Sequence, residues 1–144
     1  MDTETNLKNN YKTELLNSIP VVAAMNVDIT DIGADTIELT APLDTNINYE
    51  GTAFGGSLNT LCVLSGYLLV HHILRSQEIP FSSLVIQDSQ VKYLKPVTKD
   101  FHARATITPE NLRSFMKMIQ FKGKGRAEVS SIITTDDTSQ LVTF

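Results

Sequence analysis

The stretch "GGSLNTLCVLSGYLLVHHILRSQEIP", residues 55–80, decides the fold. Leu58, Leu61, Cys62, Leu64, Leu68, Leu69, Ile73 and Leu74 recur at helical spacing and cover more than one face. A helix that is apolar nearly all round belongs inside a domain or in lipid. Asn59, Ser65, Gly66 and the pair His71–His72 interrupt the run too often for lipid. The segment therefore predicts a central helix with protein around most of it, closed by Pro80.

Working outward, the flanks supply the wrapping. Upstream, Val27 and Ile29 alternate with polar residues, as do Ile37 and Leu39, and the turn-like "DIGAD" joins them. That pattern reads as a β-hairpin, ended by Pro42 and "DTNIN". Before it, Leu7, Tyr11, Leu15 and Ile19 make one apolar face of a short helix over residues 5–19, which Pro20 stops or redirects. Downstream, "SLVIQDSQVKYL" (83–94), "FHARATITP" (101–109), "GRAEVSSIITT" (125–135) and "QLVTF" (140–144) read as strands. Leu112, Phe115, Met116 and Ile119, after Pro109, predict a short amphipathic helix between the second and third of these. One buried helix with mostly antiparallel strands is an α+β layer arrangement. A single curved sheet wrapped around one long helix is the hotdog geometry. The division expected is a helical lead-in over residues 1–19 and one hotdog domain over 20–144.

Composition sets bounds on function. A chain of 144 residues fits one domain, and its net charge of −4 argues against a nucleic-acid binder. The acidic, polar N-terminus does not read as a signal peptide. The single cysteine, Cys62, excludes an intrachain disulfide framework and fits a reducing, cytoplasmic compartment. In its apolar helix Cys62 reads as inert core. No zinc-like spacing of ligands is present, and no metal or cofactor is expected. Basic residues gather within 91–126, among them Lys92, Lys95, Lys99, Arg104, Arg113 and Lys117. They are either scattered solvated side chains or a surface for a phosphate-bearing ligand or an acidic partner.

The entrance to the long helix, "GTAFGGS", is neither a P-loop nor a dinucleotide fingerprint. Gly55 and Gly56 lack a Cβ, so a ligand or another chain can come close to their backbone. A helix N-terminus has unpaired N–H groups and a positive dipole end, which suit a carboxylate, a phosphate or a polarised carbonyl. Tight packing of the helix against the sheet would need the same glycines.

"NYEGTAFGGSL", then "SGY", then "VIQDSQVKYLKPV" resemble the YiiD-type domain of the hotdog (PaaI-like) thioesterase superfamily, over about residues 20–144. The resemblance implies a hotdog fold and homodimers paired edge to edge through strands, with a tetramer left open. It also implies a site at the dimer interface and thioester substrates, acyl-CoA or acyl-carrier-protein. Members run on past the position of Phe144, so either the last strand is short here and leaves an edge uncovered, or the partner subunit compensates. PaaI-type relatives carry an Asn, a His-Gly-Gly and a helix carboxylate. On that pattern Asn48 takes the Asn position, Phe54 stands in place of His, Gly55 and Gly56 match, and Val63 replaces the carboxylate.

The candidate site follows from these positions. The Gly56 N–H polarises a thioester carbonyl. Val63 is no base, so Asp88, placed mid-strand between apolar residues, is the candidate general base. Its structural alternative is a hydrogen bond or an ion pair with Lys92. Asn48 would hold water or the carbonyl, or else build a turn. Phe54, Gly55, Ser57, Asn59 and Tyr93 are candidate substrate contacts, with Tyr93 alternatively packing on the sheet. His71 and His72 are expected to charge the helix C-terminus favourably, and His102 has no obvious partner. The functions in competition are an acyl-thioester hydrolase and a non-catalytic acyl-CoA or acyl-carrier-binding hotdog. A dehydratase would need a His–acid pair that cannot be placed.

Overall fold

The computed structural model describes residues 2–136 and 139–144. Helix α1 (Thr3–Ser18) is followed by α2 (Pro20–Met25), which Pro20 opens after the extended Ile19. Strands β1 (Asp28–Ile32) and β2 (Thr36–Ala41) form the expected hairpin. The long helix α3 (Gly55–Ser76) comes next, then β3 (Lys92–Tyr93), β4 (Phe101–Thr106), α4 (Pro109–Lys122), β5 (Ser130–Thr134) and β6 (Gln140–Thr143). The six strands form one antiparallel sheet in the order β1-β2-β4-β5-β6-β3.

The curved sheet lies along α3, and β4 near its centre presents small side chains inward. Ala103 and Ala105 of β4 are fully buried, opposite Leu39 and Ile37 of β2 and Ile133 and Ser131 of β5. That leaves room for Leu61, Cys62 and Leu69 of α3, which are completely enclosed. Alternate residues of β4, His102, Arg104 and Thr106, face outward, as the two-residue period of a strand requires. Composition alone would let α3 cross a membrane; here the sheet covers it. Tyr11 and Leu15 bring α1 into the same core. Burying a side chain such as Phe101 contributes about 1.5–3 kcal/mol. Helix α4 starts at Thr108, whose side chain accepts the Asn111 N–H at 3.1 Å, and ends at Gly123, which takes the left-handed conformation (φ 64°).

Two strands are much shorter than their sequence suggests. Of residues 83–94 only Lys92 and Tyr93 pair, with β6, and of 125–135 only Ser130–Thr134 is strand. The β-branched content of both segments is real, but a strand also needs a hydrogen-bonded neighbour. β6 ends before it reaches the rest of either segment.

Candidate functional site

The loop before α3 is built by two asparagines. Asn46 is buried, and its amide nitrogen donates to the Met25 and Pro42 carbonyls at 2.9 and 2.8 Å. Its backbone carbonyl accepts the Phe54 N–H at 2.7 Å, which sets the approach to the helix, while its buried Oδ1 has no hydrogen-bond partner among the described residues. Asn48 closes the loop on itself: its Oδ1 accepts the Glu50 and Thr52 N–H groups, and its Nδ2 donates to Thr52 Oγ1 and the Ala53 carbonyl. Both ends of the Asn48 amide are thus engaged in turn-making. Asn46 was not singled out from the sequence. Its only sequence signal is a second Asn beside the glycine motif.

Phe54 caps α3 with extended backbone and gives no side-chain hydrogen bond. The first helical bond runs from Leu58 N–H to the Phe54 carbonyl. The N–H groups of Gly55, Gly56 and Ser57 therefore have no acceptor among the described residues. No acidic residue lies in this first turn to neutralise the positive helix end. The two glycines differ. A Cβ on Gly55 would make ordinary contact with the Tyr93 ring at 3.6 Å, whereas one on Gly56 would fall 2.4 Å from Phe54. Gly56 is exposed, with the Phe54 ring lying over it.

Tyr93 does not simply pack on the sheet. Its side chain is half exposed, and its hydroxyl donates to the Gly55 carbonyl at 3.1 Å. Asn59, one turn into the helix, has a buried Oδ1 without a hydrogen-bond partner among the described residues. Ser57 is partly buried at the helix start.

Asp88 departs from expectation. It is exposed, sits in the unpaired stretch before β3, and makes no ion pair with Lys92 among the described residues. It lines a cleft that reaches Val63 and Tyr67 of α3 but not Gly56. Within one protomer the polarising N–H groups and this carboxylate therefore border different surfaces.

The three histidines pack against neighbours. His72 Nδ1 lies 3.0 Å from the Tyr11 hydroxyl. His71 lies edge-on to Tyr11 and stacks on Tyr67. Burial holds both imidazoles below their ordinary pKa, so they are neutral rather than charged helix-end groups. His102 does have partners: Asp136 at 3.4 Å and Glu38 at 3.9 Å. Burial pushes the Cys62 thiol up to about 12. The basic residues of 91–126 are all exposed, three of them (Arg113, Lys117 and Lys122) on α4, and among the described residues only Arg104 of these is ion-paired, with Asp31 and Glu38. Among the described residues, no three His, Cys, Asp or Glu side chains come close enough to hold a metal ion.

Against known proteins, the family model described as "Putative thioesterase (yiiD_Cterm)" matches residues 8–144. The chain is similar to a crystallised protein of unknown function from Chlorobaculum tepidum, with 28% identity and TM-score 0.87 over 98% of this chain and 91% of that one. It is similar in fold to a "putative thioesterase" from Shewanella oneidensis, with 22% identity and TM-score 0.84 over 96% and 93% of the two chains. A thioesterase from Haemophilus influenzae shares the fold at 23% identity and TM-score 0.71, over 99% of this chain and 86% of that one.

Proposed function

The chain belongs to the yiiD C-terminal thioesterase family, and from this premise we propose that it hydrolyses acyl-CoA or acyl-carrier-protein thioesters. The observation that carries the reading is the bare first turn of α3, where N–H groups beneath Phe54 have no acceptor among the described residues. A thioester carbonyl placed there gains hydrogen bonds that strengthen as its oxygen becomes an oxyanion. Water adds to the carbonyl carbon, the C–S bond breaks, and the leaving thiolate takes up the proton that the water loses. Asp88 is the candidate base for that proton.

The site is completed in a homodimer. Residues 84–91 have no strand partner among the described residues, and Val85 and Ile86 are exposed there. Edge-to-edge pairing of two copies would cover them and bring a second α3 and a second Asp88 near the first site. The reduced Cys62 fits a cytoplasmic setting.

The test is turnover of purified protein on acyl-CoA and acyl-carrier-protein substrates across chain lengths. Hydrolysis is expected, and Asp88→Asn should lower kcat by about 10²–10⁴. Absence of turnover on every substrate would overturn the reading. An unchanged rate in Asp88→Asn would remove Asp88 as the base. The engaged Asn48 amide and the apolar Val63 favour a second reading, acyl-thioester binding without hydrolysis. Titration calorimetry with acyl-CoA separates the two: binding without turnover supports the second.

A further inference from the structure

The cations of this chain are unevenly placed. Five of its 12 basic residues, Arg113, Lys117, Lys122, Lys124 and Arg126, fall within residues 113–126, and none of its 16 acidic residues does. The fold gathers them. At 3.6 residues per turn, Leu112, Phe115, Met116 and Ile119 share one face of α4, and that face packs on the core. Arg113, Lys117 and Phe121, spaced four residues apart, stand along the opposite face and are exposed. Gly123 ends the helix in the left-handed conformation and turns the chain back. A Cβ on Gly125 would fall 3.1 Å from the Met118 Cβ and 3.3 Å from the Phe115 ring, so glycine lets the returning segment lie close on α4. Its neighbours Lys124 and Arg126 are both exposed and add two cations beside the helix. Among the described residues none of the five is ion-paired. Phe121, 72% exposed, leaves an apolar ring in solvent among them.

We propose that the outward face of α4 and the 123–126 turn dock an acidic amphipathic α-helix of a separate protein, its carboxylates against these cations and an apolar side chain against Phe121. Charge complementarity selects the class of partner, because five cations without counter-charges attract an anionic surface and orient its approach. The outward face of a helix is convex, whereas a small-molecule site is concave, so a free nucleotide finds no enclosure here. The net charge of −4 over the whole chain disfavours an extended nucleic acid. The basic patch is also bounded. Glu110 lies one turn before Arg113, and Glu128 lies just past Arg126, both exposed. A membrane plane laid on α4 would press these two carboxylates against anionic headgroups. A partner helix fits between them: from Arg113 to Lys122 the axis rises about 14 Å, close to three turns. Lys117 and Phe121 belong to one four-residue ridge, the kind of ridge that seats in the groove of a second helix.

The experiment uses the intact protein and three labelled peptides with blocked ends: EALEELAEALEELA, the equally charged but proline-broken EALEELPEALEELA, and KALKKLAKALKKLA. Fluorescence anisotropy at low salt reads the binding. The first peptide is expected to bind about tenfold tighter than the second, because proline breaks the helix and leaves the charge. The lysine peptide is expected not to bind. Raising the salt from about 50 to about 200 mM should weaken the first peptide several-fold. Arg113→Glu/Lys117→Glu should transfer the preference to the lysine peptide, and Lys124→Glu/Arg126→Glu should weaken the acidic helix independently. Phe121→Ala should weaken it about tenfold and leave the order of the peptides unchanged. Equal binding of the two acidic peptides overturns the proposal, as does binding that neither charge reversal alters. Sedimentation with phosphatidylserine vesicles that the charge reversals abolish, with the acidic helix left unbound, would make a membrane the occupant and overturn it. Self-association that Arg113→Glu/Lys117→Glu removes would make a second copy the occupant. Displacement of the peptide by CoA at the peptide's own concentration would make a nucleotide the occupant. Either of these results also overturns the proposal. None of these readouts depends on thioester turnover.

Discussion

The Tyr93 hydroxyl donates to the Gly55 carbonyl at 3.1 Å and so ties the outermost strand to the first turn of the central helix. Gly55 and Tyr93 are far apart in sequence, and this bond joins the strand edge to the candidate oxyanion position. Removing the hydroxyl in Tyr93→Phe should cost about 0.5–1.5 kcal/mol, near the low end because the bond is exposed. kcat/KM should fall more than stability does, because the loosened turn carries the Gly56 N–H. Thermal unfolding and steady-state kinetics on the same preparation check this, and an unaltered kcat/KM would unlink the bond from the site.

Gly56 and Phe54 form a steric pair. Gly56→Ala drives a methyl group into the Phe54 ring, which is more than half exposed and free to swing outward. The fold should survive while kcat/KM drops, because the displaced ring no longer covers the bare N–H groups. The double variant Gly56→Ala/Phe54→Ala removes the clash. Because that variant also lacks the covering ring, it should recover no activity over Gly56→Ala, and recovery would show that lost cover is not what the alanine disturbs.

The packed histidines give stability a pH dependence. Burial holds His71 and His72 below the ordinary 6.5, and the Arg75 cation adds to the lowering at His71. Glu14 acts in the opposite direction on His71. Between the lowered folded-state pKa and 6.5 the unfolded chain binds more protons than the folded one. Their contribution is therefore fully present above 6.5 and is lost as the pH falls through the folded-state values. Calorimetry from pH 7.5 to 5 should show Tm falling. The double variant His71→Gln/His72→Gln should flatten much of that slope.

Ser65 of α3 and Ser131 of β5 share a buried 2.8 Å hydrogen bond, and Ser65 also reaches the Cys62 carbonyl. Ser65→Ala leaves the Ser131 hydroxyl without its partner and should cost about 1–3 kcal/mol. Adding Ser131→Ala should cost less than the sum of the single changes, because the stranded hydroxyl is then gone. Denaturant unfolding of the four proteins measures the coupling, and strict additivity would contradict it.

Residues near in sequence were the ones whose roles could be read from it. The apolar positions of α3 record which faces are covered, because a helix repeats every few residues and burial is written into that repeat. The hairpin, the α4 start at Pro109 and the family motif around Gly55–Gly56 are equally local. What sequence could not supply was each group's partner. Asn48 and Asp88 are both polar residues beside a family motif, yet one amide is engaged by its own loop and one carboxylate stands in solvent. His71 and His72 looked like helix-end charges until Tyr11, from the first helix, came to lie against them. The stretch 83–94 has the composition of a strand, but pairing comes from a neighbour that only the folded sheet supplies, and β6 reaches just Lys92 and Tyr93. Composition and periodicity fixed the layer and the helix inside it. Hydrogen-bond partners and desolvation depend on which distant segments meet, and those were decided by the tertiary structure.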